Sequence, residues 1–344
     1  MKKAVATTIR LASLFGLVCL TAIGANAQTS SVRMTRAANA FLETLDAGQR
    51  QSVTFAIDDE QQRKRWSNLP VRSVPRAGLS LGALNTTQRA AAMALVSAAL
   101  SAKGLQKVNE IMEGDEVLKT GAASRGNPAM FGKDFYYISI LGTPSESSPW
   151  ILQFGGHHLA LNITVAGDKG TLTPSLTAAQ PGLYTFNGKQ VRPLAGESDK
   201  AAALFNSLDA QQRSQAILGS RVADLVLGPG EDGRTIQPEG LKASAMTERQ
   251  RAQLLDVITE WAGIIHDDAA AARMAEVRAG LAETWFAWSG PASATPGTNI
   301  ASYYRIQGPN LVIEYAPQGN DPTMHIHAMY RDPTNDYGRK YTAK

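Results

Sequence analysis

Two histidine-bearing segments stand out in this chain of 344 residues: Gly155-Gly156-His157-His158-Leu159 and Met324-His325-Ile326-His327-Ala328. Together they hold four of the five histidines. Both have the apolar, β-branched or aromatic surroundings that are typical of β-strands. Because alternate residues of a strand point to the same face, His325 and His327 should present two imidazoles side by side. The two segments therefore predict a sheet that carries a place for chemistry or metal binding.

Residues 1–27 have the three parts of a secretory signal. Lys2, Lys3 and Arg10 form a charged start, and Leu11–Ile23 is an apolar stretch too short to cross a bilayer comfortably. Ala25-Asn26-Ala27 is a small-x-small cleavage pattern. We therefore expect an exported protein, either periplasmic or secreted.

The composition excludes several classes of protein. The only cysteine, Cys19, lies in the signal segment, so the exported chain should hold no disulfide and no thiolate ligand. Lys2, Lys3 and Arg10 account for three of the 34 basic side chains, and the remaining 31 nearly match the 30 acidic ones. No dense run of basic residues supports a nucleic-acid partner, and no later segment has the apolar length of a membrane helix. We expect an exported globular protein without an integral membrane segment after cleavage.

Three pairs of segments resemble each other in the same order along the chain. The pairs are Phe41–Arg50 with Leu204–Arg213, Asn85–Ala90 with Thr247–Ala252, and Phe154–Leu159 with Ile306–Leu311. They predict an internal duplication, with units at residues 28–190 and 191–344. The sequence leaves open whether these units are separate domains or parts of one compact domain.

Each predicted unit has helices first and strands afterwards. Helical spacing or capping residues predict helices at 35–50, 85–103, 105–118, 199–218, 247–265 and 267–281. Strands are predicted at 135–141, 150–154, 157–165, 171–177, 284–288, 302–307, 310–315 and 323–330. Residues 227–240 are rich in glycine and proline and indicate a connecting loop. This separation of helices from antiparallel strands predicts an α+β fold.

The last predicted hairpin suggests a metal site. A symmetric register about a turn at Pro317–Pro322 would place Glu314 opposite His325 and Val312 opposite His327. Cross-strand partners are neighbours on one face, so Glu314 and the two histidines would lie together there. Two imidazoles and a carboxylate suit zinc, copper, iron or manganese. A shift of one residue in the register would remove Glu314 from this face.

The first histidine pair supplies a further candidate ligand. Adjacent strand residues point to opposite faces, so either His157 or His158 could enter the site while the other packs below it. The alternative for all four histidines is a structural role, in which they are exposed or hydrogen-bonded within the sheet.

The segment after the last strand allows two interpretations. In the first, Asp332 and Asp336 belong to a turn and one of them pairs with Arg331. In the second, Arg331 clamps a carboxylate or phosphate group and Asp336 orients a histidine.

Several of these motifs together resemble a known family. The motifs are Gln153–Asn162, Gly142-Thr143-Pro144, His325-Ile326-His327 and Arg331-Asp332-Pro333, and they resemble the bacterial and fungal family called domain of unknown function 3500. The resemblance extends over about residues 35–338. The residues that match its signature are His157, His158, His325, His327, Arg331 and Asp332. The family's name assigns no activity, so the resemblance implies membership alone.

The sequence favours the first of two possible functions. The first is an exported metal-binding protein with hydrolase or oxidoreductase activity on a small molecule. In it His157, His158, His325 and His327 are candidate ligands, Glu314 is a ligand or general base, and Arg331 is a substrate clamp. The second is a non-enzymatic ligand-binding or structural module, in which the same side chains only bind a ligand or stabilise the sheet.

Overall fold

The computed structural model describes Met1 and residues 29–124, 130–291 and 297–342. Apart from Met1, the predicted secretory signal at 1–27 lies outside the described residues. Among the helices of the described ranges, none is both long enough and apolar enough to cross a membrane.

The α+β fold is confirmed: within the described ranges the chain forms ten α-helices, an eleven-stranded sheet and a separate two-stranded hairpin. The helices are α1 Ser30–Glu43, α2 Ala47–Val53, α3 Glu60–Arg63, α4 Thr86–Ala99, α5 Ala102–Ser124, α6 Ala195–Ser207, α7 Ala210–Ala216, α8 Glu248–Ala262, α9 Asp267–Ala279 and α10 Arg339–Thr342. The strands are β1 Thr54–Phe55, β2 Leu79–Ser80, β3 Tyr137–Leu141, β4 Trp150–Gly156, β5 Leu159–Ala166, β6 Lys169–Ala179, β7 Tyr184–Phe186, β8 Lys189–Val191, β9 Leu241–Lys242, β10 Trp285–Ser289, β11 Tyr303–Gly308, β12 Leu311–Pro317 and β13 Ile326–Arg331.

Strands from both predicted units share one mixed sheet. Its order is β1-β3-β4-β5-β6-β13-β12-β11-β10-β9, with β2 also paired to β3. The central pair is β6 with β13, which run antiparallel and place Ala178 opposite His327. The last strand of each half therefore meets the other at the middle of the sheet.

The two halves repeat the same order of elements. α1, α2, β2, α4, α5 and β3 to β6 are followed in the second half by α6, α7, β9, α8, α9 and β10 to β13. Corresponding helices also begin alike: α2 and α7 each have a capping box, formed by Asp46 with Gln49 and by Asp209 with Gln212. The order agrees with the predicted units, and their origin by duplication stays a prediction.

Two predicted helix boundaries were wrong. The helix predicted over 35–50 is two helices, because Asp46 caps a new helix. Gly104, predicted to end a helix, lies inside α5. A Cβ atom at Gly104 would lie 2.2 Å from the carbonyl oxygen of Ile264. This glycine is therefore needed for close approach between α5 and the end of α8.

The sheet has two differently covered faces. On one face the helices bury two large apolar clusters against the strands, one in each half. On the other face, a smaller cluster joins strand residues to Trp66, Leu225 and Tyr337. These three belong to the loops at 56–78 and 218–240 and to the C-terminal segment. We call this second face the loop face.

We expect Gly104→Ala to destabilise the protein by about 1–3 kcal/mol, because the added methyl group must displace the backbone at Ile264. Gly121→Ala is the matched control in the same helix, since a Cβ atom there meets nothing within 4 Å. The control should be neutral or raise the free energy of unfolding by about 0.5–1 kcal/mol. Denaturant unfolding of both variants measures the difference, and equal stabilities would contradict the close approach.

Candidate metal centre

Three of the predicted histidines converge at one end of the central strands. His157 and His158 form the tight turn between β4 and β5, so the strand predicted at 157–165 is present but begins at Leu159. His158 has a φ of 62°, a left-handed conformation that is uncommon for a residue other than glycine. From this turn its side chain meets His325, which directly precedes β13, and His327, which lies within it.

The ring nitrogens of these histidines lie close enough together to surround one common point. The Nε2 atom of His325 lies 3.2 Å from Nε2 of His158 and 3.1 Å from Nε2 of His327. One ligand atom from each of the three residues lies within 4.8 Å of the others. A tetrahedral zinc ion with bonds of about 2.0–2.1 Å holds its nitrogen ligands about 3.3 Å apart. The spacing therefore fits a metal ion, and we call these three residues the three-histidine group.

Hydrogen bonding alone cannot satisfy this arrangement. A neutral imidazole nitrogen carries either one in-plane hydrogen or one in-plane lone pair. The Nε2 atom of His325 can therefore make a directed hydrogen bond to only one of its two Nε2 neighbours. A cation at the common point would accept all three lone pairs at once.

The surroundings keep the imidazoles in the form that binds metals. Burial lowers the pKa of His158 well below its usual value, and His157, His327 and His325 lower it further. Burial and the neighbouring His327 and His157 lower the pKa of His325 to about 4, although Asp224 opposes the shift. Neutral imidazole is the metal-ligating form, so these two side chains are ready ligands near neutral pH.

His157, the fourth predicted ligand, lies beside the three-histidine group. Its Nδ1 atom is 2.7 Å from Oδ1 of the buried Asp115 in α5. Its ring stacks on His158 with the centroids 3.6 Å apart. The prediction that adjacent histidines point to opposite faces was wrong, because the two residues form a turn and not a strand. His157 is thus placed to support the ring of His158.

Two loop residues that sequence reasoning missed complete the surroundings of His327. The carboxylate of Asp224 lies 3.4 Å from Nδ1 of His327, and the side-chain amide of Asn68 lies 3.3 Å from its Nε2 atom. Burial raises the pKa of Asp224, but hydrogen bonds from His327 and the Leu225 backbone outweigh it and leave the pKa lowered. Both residues come from the loops on the loop face, which have no periodic pattern that could have indicated them.

The predicted register of the last hairpin was wrong. Glu314 pairs with Met329 and not His325, because the turn continues to residue 325. Asp321 accepts hydrogen bonds from the backbone of Thr323 and Met324 and so extends that turn. Val312 likewise lies opposite Arg331 and not opposite His327.

Glu314 and Arg331 both bind the loop at 218–240. We call this the second loop and the loop at 56–78 the first loop. The buried Glu314 carboxylate accepts hydrogen bonds from the backbone of Val226 at 2.8 Å and Leu227 at 2.7 Å. The buried guanidinium of Arg331 donates to the carbonyl oxygens of Leu227 at 2.7 Å and Gly228 at 2.9 Å. These contacts fix the backbone close to Asp224. The structure does not bring Glu314 or Arg331 into the three-histidine group.

The acidic residues after β13 have structural partners. Asp336 forms an ion pair with Arg331 at 2.9 Å, as the first interpretation predicted. It also accepts a hydrogen bond from Thr173, and no histidine is among its described partners, so the prediction that it orients a histidine was wrong. Asp332 pairs with Arg273 at 3.1 Å. His266, the fifth histidine, caps α9.

Comparison with known proteins identifies a family for this chain. The chain belongs to a family described as a protein of unknown function, DUF3500, which matches residues 27–339. No curated protein and no solved structure matches the chain. The family is therefore shown, and it carries no activity with it.

We expect the metal-free protein to lose stability as the pH falls from about 6.5 to about 4. His325 has a pKa of about 4 in the folded chain and 6.5 when unperturbed. Between these two pH values the unfolded chain binds a proton at His325 that the folded chain does not. The contribution of His325 to the free energy of unfolding is therefore complete above pH 6.5 and is lost on acidification. Denaturant unfolding in the presence of a chelator should show this dependence. A His325→Gln variant should show a shallower one, and identical slopes would contradict the assignment.

We expect Glu314→Gln to loosen the second loop and to destabilise the protein by about 1–3 kcal/mol, because an amide nitrogen would replace one of the buried acceptors. Hydrogen exchange at the Val226 and Leu227 amides should become faster. Tyr303→Phe is the control, since it removes only the 2.7 Å hydroxyl contact to the same carboxylate. Unchanged exchange at both amides in Glu314→Gln would show that this contact does not hold the loop.

Proposed function

We propose that this protein is an exported, metal-dependent hydrolase that binds zinc through His158, His325 and His327. The convergence of the three Nε2 atoms is the observation that carries the proposal. They come from two segments separated by more than 160 positions in the sequence, so local chain geometry alone does not bring them together. Export is inferred from the signal pattern at residues 1–27.

The donor set favours zinc among the metals that the sequence allows. Three neutral imidazoles with a position left for water or substrate are a known zinc arrangement in hydrolytic and hydrating enzymes. Non-haem iron oxygenases more often use two histidines and a carboxylate. The carboxylate predicted for that role, Glu314, is bound to the backbone of the second loop. Zinc has no redox chemistry, so this donor set supports hydrolysis over oxidoreduction.

Asp224 and Asn68 have distinct parts in this proposal. Asp224 accepts a hydrogen bond from Nδ1–H of His327, which orients the ring and leaves the lone pair on Nε2 for the metal. The amide nitrogen of Asn68 is a hydrogen-bond donor beside that same Nε2 atom. It is placed to bind an oxygen on which negative charge develops. The chemistry that a bound zinc ion supplies is Lewis acidity, which activates water and polarises a carbonyl group.

His157 acts as a positioning residue. Asp115 holds its Nδ1 atom at 2.7 Å, and its ring covers one side of the His158 ring. This stack limits rotation of His158, whose Nε2 atom must remain at the common point. The Asp115–His157 pair therefore orients His158 without itself binding the metal.

Elemental analysis of protein purified without a nickel column tests the proposal. We expect about one zinc ion per chain, or uptake of one ion after incubation, because the three ligands are preformed. The His325→Ala/His327→Ala double variant should bind none. His266→Asn is the control: it also removes a histidine but keeps a side chain that caps a helix, so it should retain the ion.

The outcomes separate the proposal from its alternatives. A chain that takes up none of zinc, copper, iron and manganese would reject the metal centre. A double variant that loses stability while metal uptake in the parent is absent would favour the structural or ligand-binding module. Uptake of copper or iron in preference to zinc would favour oxidoreductase chemistry at the same residues.

A further inference from the structure

A cleft on the loop face begins next to the three-histidine group. Its volume is about 490 Å³, which lies in the range of small-molecule sites. Asn68 and Asp224, the two residues that contact His327, are part of its wall. The cleft therefore extends to two side chains that contact a member of the three-histidine group.

The wall of the cleft offers an apolar surface to a ligand. Trp66 and Leu69 come from the loop at 56–78, and Leu225 and Pro229 come from the loop at 218–240. Leu69 is 47% exposed, one of the few large apolar side chains with such exposure in the described residues. A large apolar side chain that remains exposed beside a polar site marks a place for an apolar partner.

The charges in the cleft disfavour an anionic ligand. Its charged side chains are Asp224, Glu231 and Lys64, so carboxylates outnumber the ammonium group. Lys64 is paired with Glu60 at 3.8 Å and Glu231 with Arg234 at 2.9 Å, which leaves the Asp224 carboxylate as the charge beside His327. A phosphate ester would meet net repulsion here, whereas a neutral compound would not.

The cleft also has a fixed shape. Trp66 donates its indole N–H to Tyr337 at 2.8 Å, and Tyr337 donates to Asp232 of the second loop at 2.7 Å. Asp232 is in turn paired with Arg331 at 3.1 Å. These contacts connect the first loop, the second loop and the C-terminal segment. A preformed cleft costs little ordering on binding, which suits a small substrate.

From these observations we propose that the cleft binds the apolar acyl chain of a neutral ester or amide whose carbonyl group lies next to Asn68 and the three-histidine group. This inference rests on the proposed hydrolase function and names its substrate class. In the reaction, the oxygen of water bonds to the carbonyl carbon and the bond to the alcohol or amine breaks. The leaving group takes one proton of that water, and the products are the carboxylic acid and the alcohol or amine.

Chain-length dependence of hydroxamate binding tests the inference without requiring turnover. Hydroxamates bind zinc through their two oxygens, so acetohydroxamate probes the metal centre and octanohydroxamate also probes the cleft. We expect octanohydroxamate to bind the zinc-loaded protein at least about tenfold more tightly, since two buried methylene groups suffice for that gain. Isothermal titration calorimetry measures both affinities.

Two variants test whether the higher affinity for octanohydroxamate comes from the cleft. Leu69→Glu should abolish the advantage of the longer chain and leave the affinity for acetohydroxamate unchanged. Ile217→Glu is the matched control, because Ile217 is 42% exposed and is not part of the cleft wall. It should retain the advantage. Because both side chains are exposed in the parent, neither substitution removes a core contact.

The results distinguish this inference from the proposed function. Failure to load zinc would overturn both. Zinc loading and acetohydroxamate binding without any chain-length dependence would overturn the acyl-chain inference and leave the metal centre standing. The same conclusion follows if Leu69→Glu and Ile217→Glu reduce the advantage equally, or if zinc-loaded protein binds neither hydroxamate.

Discussion

The antiparallel pairing of β6 with β13 is the interaction on which the candidate site depends. Ala178 of β6 lies opposite His327 of β13, and its backbone N–H donates to the carbonyl oxygen of His158 at 2.8 Å. Ala178 thus pairs with one histidine segment on each side of β6. Its methyl side chain is on the same face as His327 and leaves room for the imidazole rings. A change of register here would separate the ligands by at least one residue spacing along the strand.

The candidate site also requires that the irregular segment around Leu227 be held in a fixed position. Backbone groups in the segment around Leu227 are not paired in the sheet, and buried polar groups need partners. Glu314 supplies two acceptors and Arg331 supplies donors, so a pair of buried charges of opposite sign binds the N–H groups and the carbonyl groups of one segment. Their burial is tolerable because each is hydrogen-bonded in full or in large part. The consequence is that Asp224 has a defined position relative to His327.

The sequence allowed the strands and the fold class to be predicted because alternation and capping are local properties. The predicted strand at 150–154 and the observed β4 agree closely, and so do the predicted strand at 302–307 and β11. The convergence of the two histidine segments was a hypothesis based on two predicted strands, and the sequence did not place those strands in one sheet. What could not be predicted depends on non-local contacts. Gly104 looks like a helix stop in the sequence, and only its approach to Ile264 explains why it lies within a helix.

The roles of individual site residues were less predictable for the same reason. Glu314 was selected from the predicted hairpin register and Arg331 from the segment after the last predicted strand, but the sequence does not reveal that their partners are backbone groups of a distant loop. Asn68 and Asp224 were missed because loop residues have no periodicity to distinguish them. Asn68 and Asp224 come close to His327 only when the loops lie across the sheet.

The three-histidine group takes its members from non-equivalent positions of the two similar halves. The first half contributes His158 from the turn between β4 and β5, whereas the corresponding turn of the second half, at Pro309 and Asn310, carries no metal ligand. The second half contributes His325 and His327 at the start of β13, whereas the corresponding strand β6 begins with Lys169-Gly170-Thr171 and carries no histidine. A structure made of two equivalent halves would place two weaker sites on either side of its centre. Here the central pairing brings one complete set of ligands together, and neither half contains that set alone.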